Sequence, residues 1–215
     1  MYSWSVCAIL TAHFLVYECD GMCWCCRSTI ILSQKGEPWR TVKDSYDLID
    51  DPRWHFGVGA EGRPRSYNQW AADCRDVNGD RIWPYEGDGV VRDGMDPTSV
   101  ETFWRIREYL EKYGARMDRV GRPHGAYLFG VDGPCPVVFA ERALDPNAAG
   151  LSYRRYRLTG RELPSAWRIE TGRVVSAHGA RGGGRQVLFR DAGKDLLSVE
   201  ELLEHGLLEE LRERA

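Results

Sequence analysis

The chain has 215 residues, 43% of them hydrophobic and 28% charged, which suits one core-bearing domain of good size, alone or with a small extension, and excludes a disordered or fibrous chain. The net charge of −3 is unevenly placed: 16 Lys and Arg against 8 Asp and Glu lie between Arg105 and Arg190, and the remainder carries −11. A basic half suits a polyanionic ligand such as a nucleotide or nucleic acid; the 25 Arg against 4 Lys fit either bidentate phosphate recognition or the codon bias of a GC-rich genome.

Met1 to Val16 is nearly uncharged and holds the apolar run Val6-Cys-Ala-Ile-Leu10, broken by Thr11 and His13 before Phe14-Leu-Val16. It is too short and too interrupted for a membrane span. It has the apolar centre of a secretory signal without a basic leader. A cleaved signal, a buried strand and a misassigned start codon are the open readings. Cys19, Cys23, Cys25 and Cys26 follow, with Cys7, Cys74 and Cys135 elsewhere. If Cys7 leaves with a signal, the other six allow three bridges in an oxidising compartment. The C-x3-C-x-C-C spacing is not a standard zinc knuckle and no His lies close enough to complete one, so disulfides are expected over zinc, with a chance cluster as the third reading.

Residues 36–97 are rich in Gly, Pro, Asp and Trp and show little periodicity. Trp39, Tyr46, Trp54, Phe56, Tyr67 and Trp70 are expected to pack a loop-rich cap. Asp76-Val-Asn-Gly-Asp80 lacks the spacing and distal Glu of an EF-hand loop; Asn78-Gly79 reads as a hairpin turn between short strands. Ile82 to Val90 then leads on through a proline and two glycines. This divides the chain into an extension, 1–79, and a domain, 80–215.

Thr98-Ser-Val-Glu101 has the form of a capping box and predicts a helix through Tyr113, stopped by Gly114. Arg116 to Phe129 predicts a strand, a Gly/Pro turn and a second strand, with Arg119 and Tyr127 close across the hairpin. That pair suits a phosphate and a ribose or base, and serves equally as a surface arginine and a core tyrosine. Val137 to Leu144 is an apolar run ending in charge, with Arg142 a second phosphate candidate. Leu151 to Leu158 alternates as a strand, Tyr156 and Leu158 on one face and Arg155 and Arg157 on the other. His178, another candidate, stands just before Gly182-Gly183-Gly184-Arg-Gln186. Three glycines let the backbone bend and let a ligand lie against bare amides, and Gln186 is the first side chain beyond them able both to donate and to accept. Ser198-Val-Glu-Glu201 is a second capping box, Gly206 a helix stop, and Leu207 to Leu211 a final strand.

The ordered set Arg119-x-Gly121…Gly125-x-Tyr127, Phe139-Ala-Glu-Arg142-Ala-Leu144, Tyr153-x-x-Tyr156, Gly172…Gly182-Gly183-Gly184-x-Gln186 and Val199…Leu202-Leu203…Gly206-x-Leu208 resembles the tuberculosis necrotizing toxin family, NAD(P)+ glycohydrolases of bacterial toxins and fungal surface enzymes. Trp83-Pro84-x-x-x-Asp88-Gly89 is similar to the family's opening motif. Where the family has an aromatic and Gln-Pro before its glycines, this chain has Ala177-His-Gly-Ala-Arg181. The resemblance implies an α+β fold, a twisted antiparallel sheet with a loop-rich N-terminal extension. It implies Gln186, Arg119 and Tyr127 as catalytic groups, and Arg142, Gly182, Gly183, Gly184, Tyr153 and His178 around the substrate. NAD+ or NADP+ would be substrate, with no cofactor, no metal, no nucleic acid and no membrane span; an immunity protein is a candidate partner, and secretion or export is expected.

In NAD+ the nicotinamide is a cationic leaving group that departs neutral, so the bond needs no general acid, unlike O-glycosides with their two carboxylates. The site must hold the pyrophosphate, orient the ribose and stabilise an oxocarbenium-like transition state. The chain has no Glu-x-Glu, the pair of arginine-modifying ADP-ribosyltransferases, which favours water as acceptor. Two other classes fit parts of the pattern. One is a metal-independent ribonuclease with His178 as base; the other is a non-catalytic nucleotide-binding module.

Overall fold

The computed structural model describes residues 42, 44–49, 56–57, 59, 61–80 and 92–211. Seven strands form one antiparallel sheet: β1 (Glu101–Phe103), β2 (Arg116–Val120), β3 (Leu128–Gly130), β4 (Tyr153–Leu158), β5 (Arg168–Arg173), β6 (Arg185–Arg190) and β7 (Leu208–Glu210). They lie in the order β1-β5-β6-β3-β2-β4-β7. The α+β class expected from the sequence is the class observed.

Strand alternation gives the sheet two unlike faces. Met117, Leu128, Tyr156, Leu158, Ile169, Val187 and Phe189 point to one side. There they meet α2 (Ile106–Tyr113), through Ile106 and Tyr109, and α3 (Val199–Glu204), through Val199 and Leu202. α3 starts at the expected capping box: the Ser198 hydroxyl accepts from the Glu201 amide, and the Glu201 carboxylate accepts from Ser198. Gly206, at φ +65°, ends the turn that launches β7.

The opposite face is covered by irregular chain. Val42 and Leu48 pack with Val120 and Phe139, and Phe129 with Ala143 and Val174. A short helix, α1 (Tyr67–Cys74), sits beside this face, capped by Ser66 and Gln69, where the sequence reading expected only loop. Of the aromatics assigned to that cap, Phe56, Tyr67 and Trp70 do cluster, with centroids 5.7–6.1 Å apart. Tyr46 is 57% exposed, and Trp39 and Trp54 lie outside the described residues. Asn78-Gly79 is a turn, held by Asp76 accepting from the amides of Asn78 and Asp80, but it follows α1 rather than a strand. Cys74 is a buried free thiol, so three bridges among six cysteines do not form. The stretches 1–16, 19–26 and 82–90 lie outside the described residues, and no helix among the described residues is long and apolar enough to cross a membrane.

The expected helix from Thr98 does not start there. Asp96 accepts both the amide and the hydroxyl of Thr98 and caps a single turn, Pro97–Ser99, after which Val100 is extended. Residues 101–103 pair with β5 instead, and Glu101 accepts from Lys112 and Tyr113 at the far end of α2.

Those two bonds hold the Glu101 carboxyl below its usual 4.5, and the bonds from Ser198 do the same for Glu201. A carboxyl depressed in the folded chain stabilises it above the unfolded value, and that stabilisation fades as pH falls through the folded value. The melting temperature should therefore fall as pH drops below 4.5. In thermal melts, Glu101→Gln should flatten this acid slope; an unchanged slope would leave the Lys112 and Tyr113 contacts without a stabilising part.

Candidate active site

Arg155 on β4, Asp118 on β2, Phe129 on β3, Gln186 on β6 and Gly172 on β5 stand opposite one another in register, a row on the face away from α2 and α3. Asp118 is the charged centre of this row. It is fully buried and accepts from Arg142 Nη1 at 2.5 Å, Arg142 Nη2 at 2.8 Å and the Tyr153 hydroxyl at 2.8 Å. Arg142 comes from a single turn, Phe139–Arg142, and its guanidinium lies 4.7 Å over the Phe129 ring. Its Nε donates to the Val137 carbonyl at 2.8 Å. Burial pushes the Tyr153 hydroxyl up, and the Asp118 charge adds to that, so the phenol stays protonated and donates.

The glycine run follows from this turn. Gly182 N donates to Ala140 O at 3.1 Å, Gly184 N to Glu141 O at 2.9 Å, and Gly183 N to Val174 O at 2.7 Å. A Cβ on Gly184 would meet Val137 Cγ1 at 2.7 Å, and one on Gly182 would meet the carbonyls of Val174 and Val175 at 2.5 Å. Gly182 and Gly184 are required by close packing of the chain on itself, and Gly183 by its φ of +97°. This corrects the sequence reading, because all three amides already donate to the protein and offer no bare cradle to a ligand. The outward side of Gly183 is open: nothing lies within 4 Å of a Cβ built there.

Gln186 is 6% exposed, and its Nε2 donates to the Asp93 carbonyl at 2.7 Å. A carbonyl only accepts, so this contact fixes the amide with nitrogen toward Asp93 and leaves Oε1 as a directed acceptor. Beyond buried Leu188 on the same strand face, Arg190 holds the Asp93 carboxylate and donates to Glu170 at 2.6 Å. Arg168 donates to Glu170 at 2.8 Å. Burial alone would raise the Glu170 carboxyl, but the bonds from Arg190 and Arg168 outweigh it and hold it below 4.5.

The expected convergence of Arg119 with Gln186 is not formed. Arg119 is one residue past Asp118, so alternation turns it to the Met117 face, with the α3 side of the sheet. There its Nε donates to Arg122 O at 2.7 Å and its Nη1 to Tyr127 O at 2.6 Å. A Cβ on Gly125 would lie 1.9 Å from Nη2, so Arg119-x5-Gly125-x-Tyr127 is first a packing motif of the β2–β3 loop. Arg119 and Tyr127 are close across the hairpin, as expected, but through a carbonyl; the Tyr127 ring is 40% exposed. Arg142 is on the Gln186 face, yet its side chain has no exposed surface, so in this arrangement it cannot touch a phosphate. His178 is buried at φ +52°, and its carbonyl accepts from the Trp70 indole at 3.0 Å.

Sequence reasoning missed Asp118, Asp93 and two exposed guanidiniums beside the glycine turn. Arg173 Nη1 donates to Gly183 O at 3.1 Å, and Arg181 pairs with Glu141 at 2.9 Å. Nothing in their local sequence marks them; only the cross-strand register and the close pass of the 139–142 turn bring them here. Among the described residues no three His, Cys, Asp or Glu side chains group as a metal site.

Removing Asp118 would strand the buried Arg142 charge. Asp118→Ala should cost about 3–5 kcal/mol in urea unfolding. A loss below about 1 kcal/mol would mean that the pair is dispensable to the fold.

Comparison with known proteins gives concordant results. The family model for tuberculosis necrotizing toxin matches residues 112–211. The outer membrane channel proteins CpnT of Mycobacterium tuberculosis (strain ATCC 25618 / H37Rv) and Mycobacterium bovis (strain BCG / Pasteur 1173P2) are each 27% identical over 162 residues, 75% of this chain. The match spans 19% of their own length. The solved structure of tuberculosis necrotizing toxin complexed with its immunity factor IFT superposes with a TM-score of 0.68 at 25% identity, over 81% of this chain and 87% of that one. Domain, sheet and ordered motifs agree: residues 112–211 form a domain of the tuberculosis necrotizing toxin family.

Proposed function

We propose that this toxin-family chain hydrolyses NAD+, and NADP+ as a second substrate, at the bond between nicotinamide and ribose C1′. Water adds to C1′, the C–N bond breaks with its electrons going to the nicotinamide ring, and the products are neutral nicotinamide, ADP-ribose and a proton. What carries the reading is the fixed amide of Gln186 in a chain of this family. With Nε2 bound to Asp93 O, Oε1 is oriented to accept from a ribose hydroxyl or from the attacking water. An acceptor placed there draws electron density toward the ribose as positive charge develops at C1′.

The other roles divide differently from the sequence expectation. Arg142, Asp118 and Tyr153 act as scaffold beneath Gln186 and the glycine turn. The exposed guanidiniums of Arg173 and Arg181 are the cations at hand for the pyrophosphate, beside the open side of Gly183. The exposed Tyr127 ring is the surface for stacking, and Arg119 holds the loop that carries it. The immunity factor bound to the solved toxin supports a protein inhibitor as partner here. The CpnT relatives support export. His178, the base a ribonuclease would need, is 7% exposed, and no observation favours that chemistry.

The test is release of nicotinamide from NAD+ by the full chain, with RNA incubated in parallel. Gln186→Ala should lower the rate by roughly 100-fold. A variant that keeps full activity removes Gln186 from the reaction, and a wild-type chain that degrades RNA but leaves NAD+ intact overturns the reading.

A further inference from the structure

The Gln186 amide is oriented by a residue more than 90 positions away in sequence, and that residue sits in a conformation unusual for its type. Asp93 has φ 59° and ψ 23°, the left-handed region, where Asp and Asn are tolerated better than most side chains but still strained. Gly94 follows at φ +76°. Two consecutive left-handed residues turn the chain sharply, and three contacts outside the turn hold them. The Asp93 carboxylate is held by Arg190, Val175 N donates to Gly94 O at 2.9 Å, and Asp96 N donates to Arg173 O at 2.8 Å. The result of the turn is a carbonyl aimed at Gln186 Nε2.

Arg190 is fixed in its turn. Its Nε donates to Glu170 and its Nη1 to Lys194 O at 2.9 Å, and Glu170 is braced by Arg168. Arg190 is 4% exposed and Gln186 6%, and Leu188 between them is fully buried. Asp93 therefore straddles Leu188: its backbone carbonyl holds one β6 side chain and its carboxylate is held by another. Backbone strain of this kind persists where the surrounding structure over-determines it, and such positions cluster at functional sites.

We infer that Asp93, anchored by Arg190, is the positioning residue of Gln186: it sets the amide so that Oε1 faces the reacting ribose. Asp93 acts through Gln186 and does not itself touch substrate. The inference rests on the reading of Gln186 given above, and its test separates the two.

Three variants of the full chain are informative. Asp93→Gly keeps the left-handed backbone without strain but removes the carboxylate that Arg190 holds. Asp93→Asn keeps both the backbone tolerance and an oxygen for Arg190. Arg190→Lys keeps the charge and loses the fork. Two readouts are taken. In nicotinamide release, Asp93→Gly should lower kcat about tenfold or more with KM little changed, Arg190→Lys should lie between, and Asp93→Asn should recover to within a few-fold of wild type. In the 15N–1H spectrum, the Gln186 side-chain amide, identified by its loss in Gln186→Ala, should move toward the position of a free glutamine in Asp93→Gly and stay in place in Asp93→Asn. Backbone resonances of β5 and β6 report that each variant is folded, and Arg190→Lys carries the test if Asp93→Gly is not. A folded Asp93→Gly, or failing that Arg190→Lys, with wild-type kcat, or with the Gln186 amide resonance unmoved, overturns the inference. If the wild-type chain releases no nicotinamide, the NAD+ reading fails by itself and the amide resonance alone decides whether Asp93 positions Gln186.

Discussion

The ion pair between Asp118 and Arg142 is the contact from which the site is laid out. Neither side chain has exposed surface, so each charge is tolerable only because the other is there and because Tyr153 and the Val137 carbonyl take up further hydrogen bonds. Asp118 is fixed in the sheet, whereas Arg142 is on an irregular stretch with no ladder to hold it. The pair therefore decides where the 139–142 turn lies against the sheet. The turn presents Ala140 O and Glu141 O, which accept from Gly182 and Gly184, and those bonds set how the chain enters β6. Gln186 follows two residues later. A carboxylate on one strand thus determines the placement of an amide two strands away.

The same logic explains the arginines. A basic half rich in Arg invites a polyanion, and the structure shows a different principal use. Arg142, Arg154, Arg157, Arg168, Arg185 and Arg190 all pair with carboxylates of the same chain. Arg116, Arg119 and Arg161 donate to backbone carbonyls. A planar guanidinium with five donors suits such tasks in a sheet whose second face is covered by loops without ladder partners for their carbonyls. Part of the segment's net positive charge is offset from outside it, where Asp93, Glu101, Glu209 and Glu210 pair with Arg190, Lys112, Arg157 and Arg154.

How much of this was readable before folding depends on the range of each interaction. Local patterns were legible: the alternation that sends Tyr156 and Leu158 to the core, the Ser198–Glu201 box, and Gly206 before β7. The Thr98–Glu101 pattern is not a helix cap, because Asp96 caps a single turn there and Glu101 enters β1, and the genuine box at Ser66 lies in a segment of loop-like composition. The site was only half legible. Gln186 stands out as the polar residue after three glycines, but its facing depends on register, and one residue of register separates Asp118 from Arg119. Sequence could bring Arg119 into the motif; only strand pairing could place it on the far side of the sheet. Asp93, whose carbonyl meets Gln186 across 93 positions, carried no local signal.

The indole of Trp70 is fully buried and donates to the carbonyl of His178, beside Gly57 and Gly179, which lie so close that neither admits a side chain. Trp70 and Gly57 stand well upstream of the stretch shared with the toxin family model, residues 112–211. Trimming the protein to that shared stretch would thus take away one wall of the hairpin leading into the glycines, exposing a backbone oxygen and an apolar hollow to water. A domain boundary drawn by similarity at residue 112 therefore leaves out chain that completes the packing around the approach to the glycines.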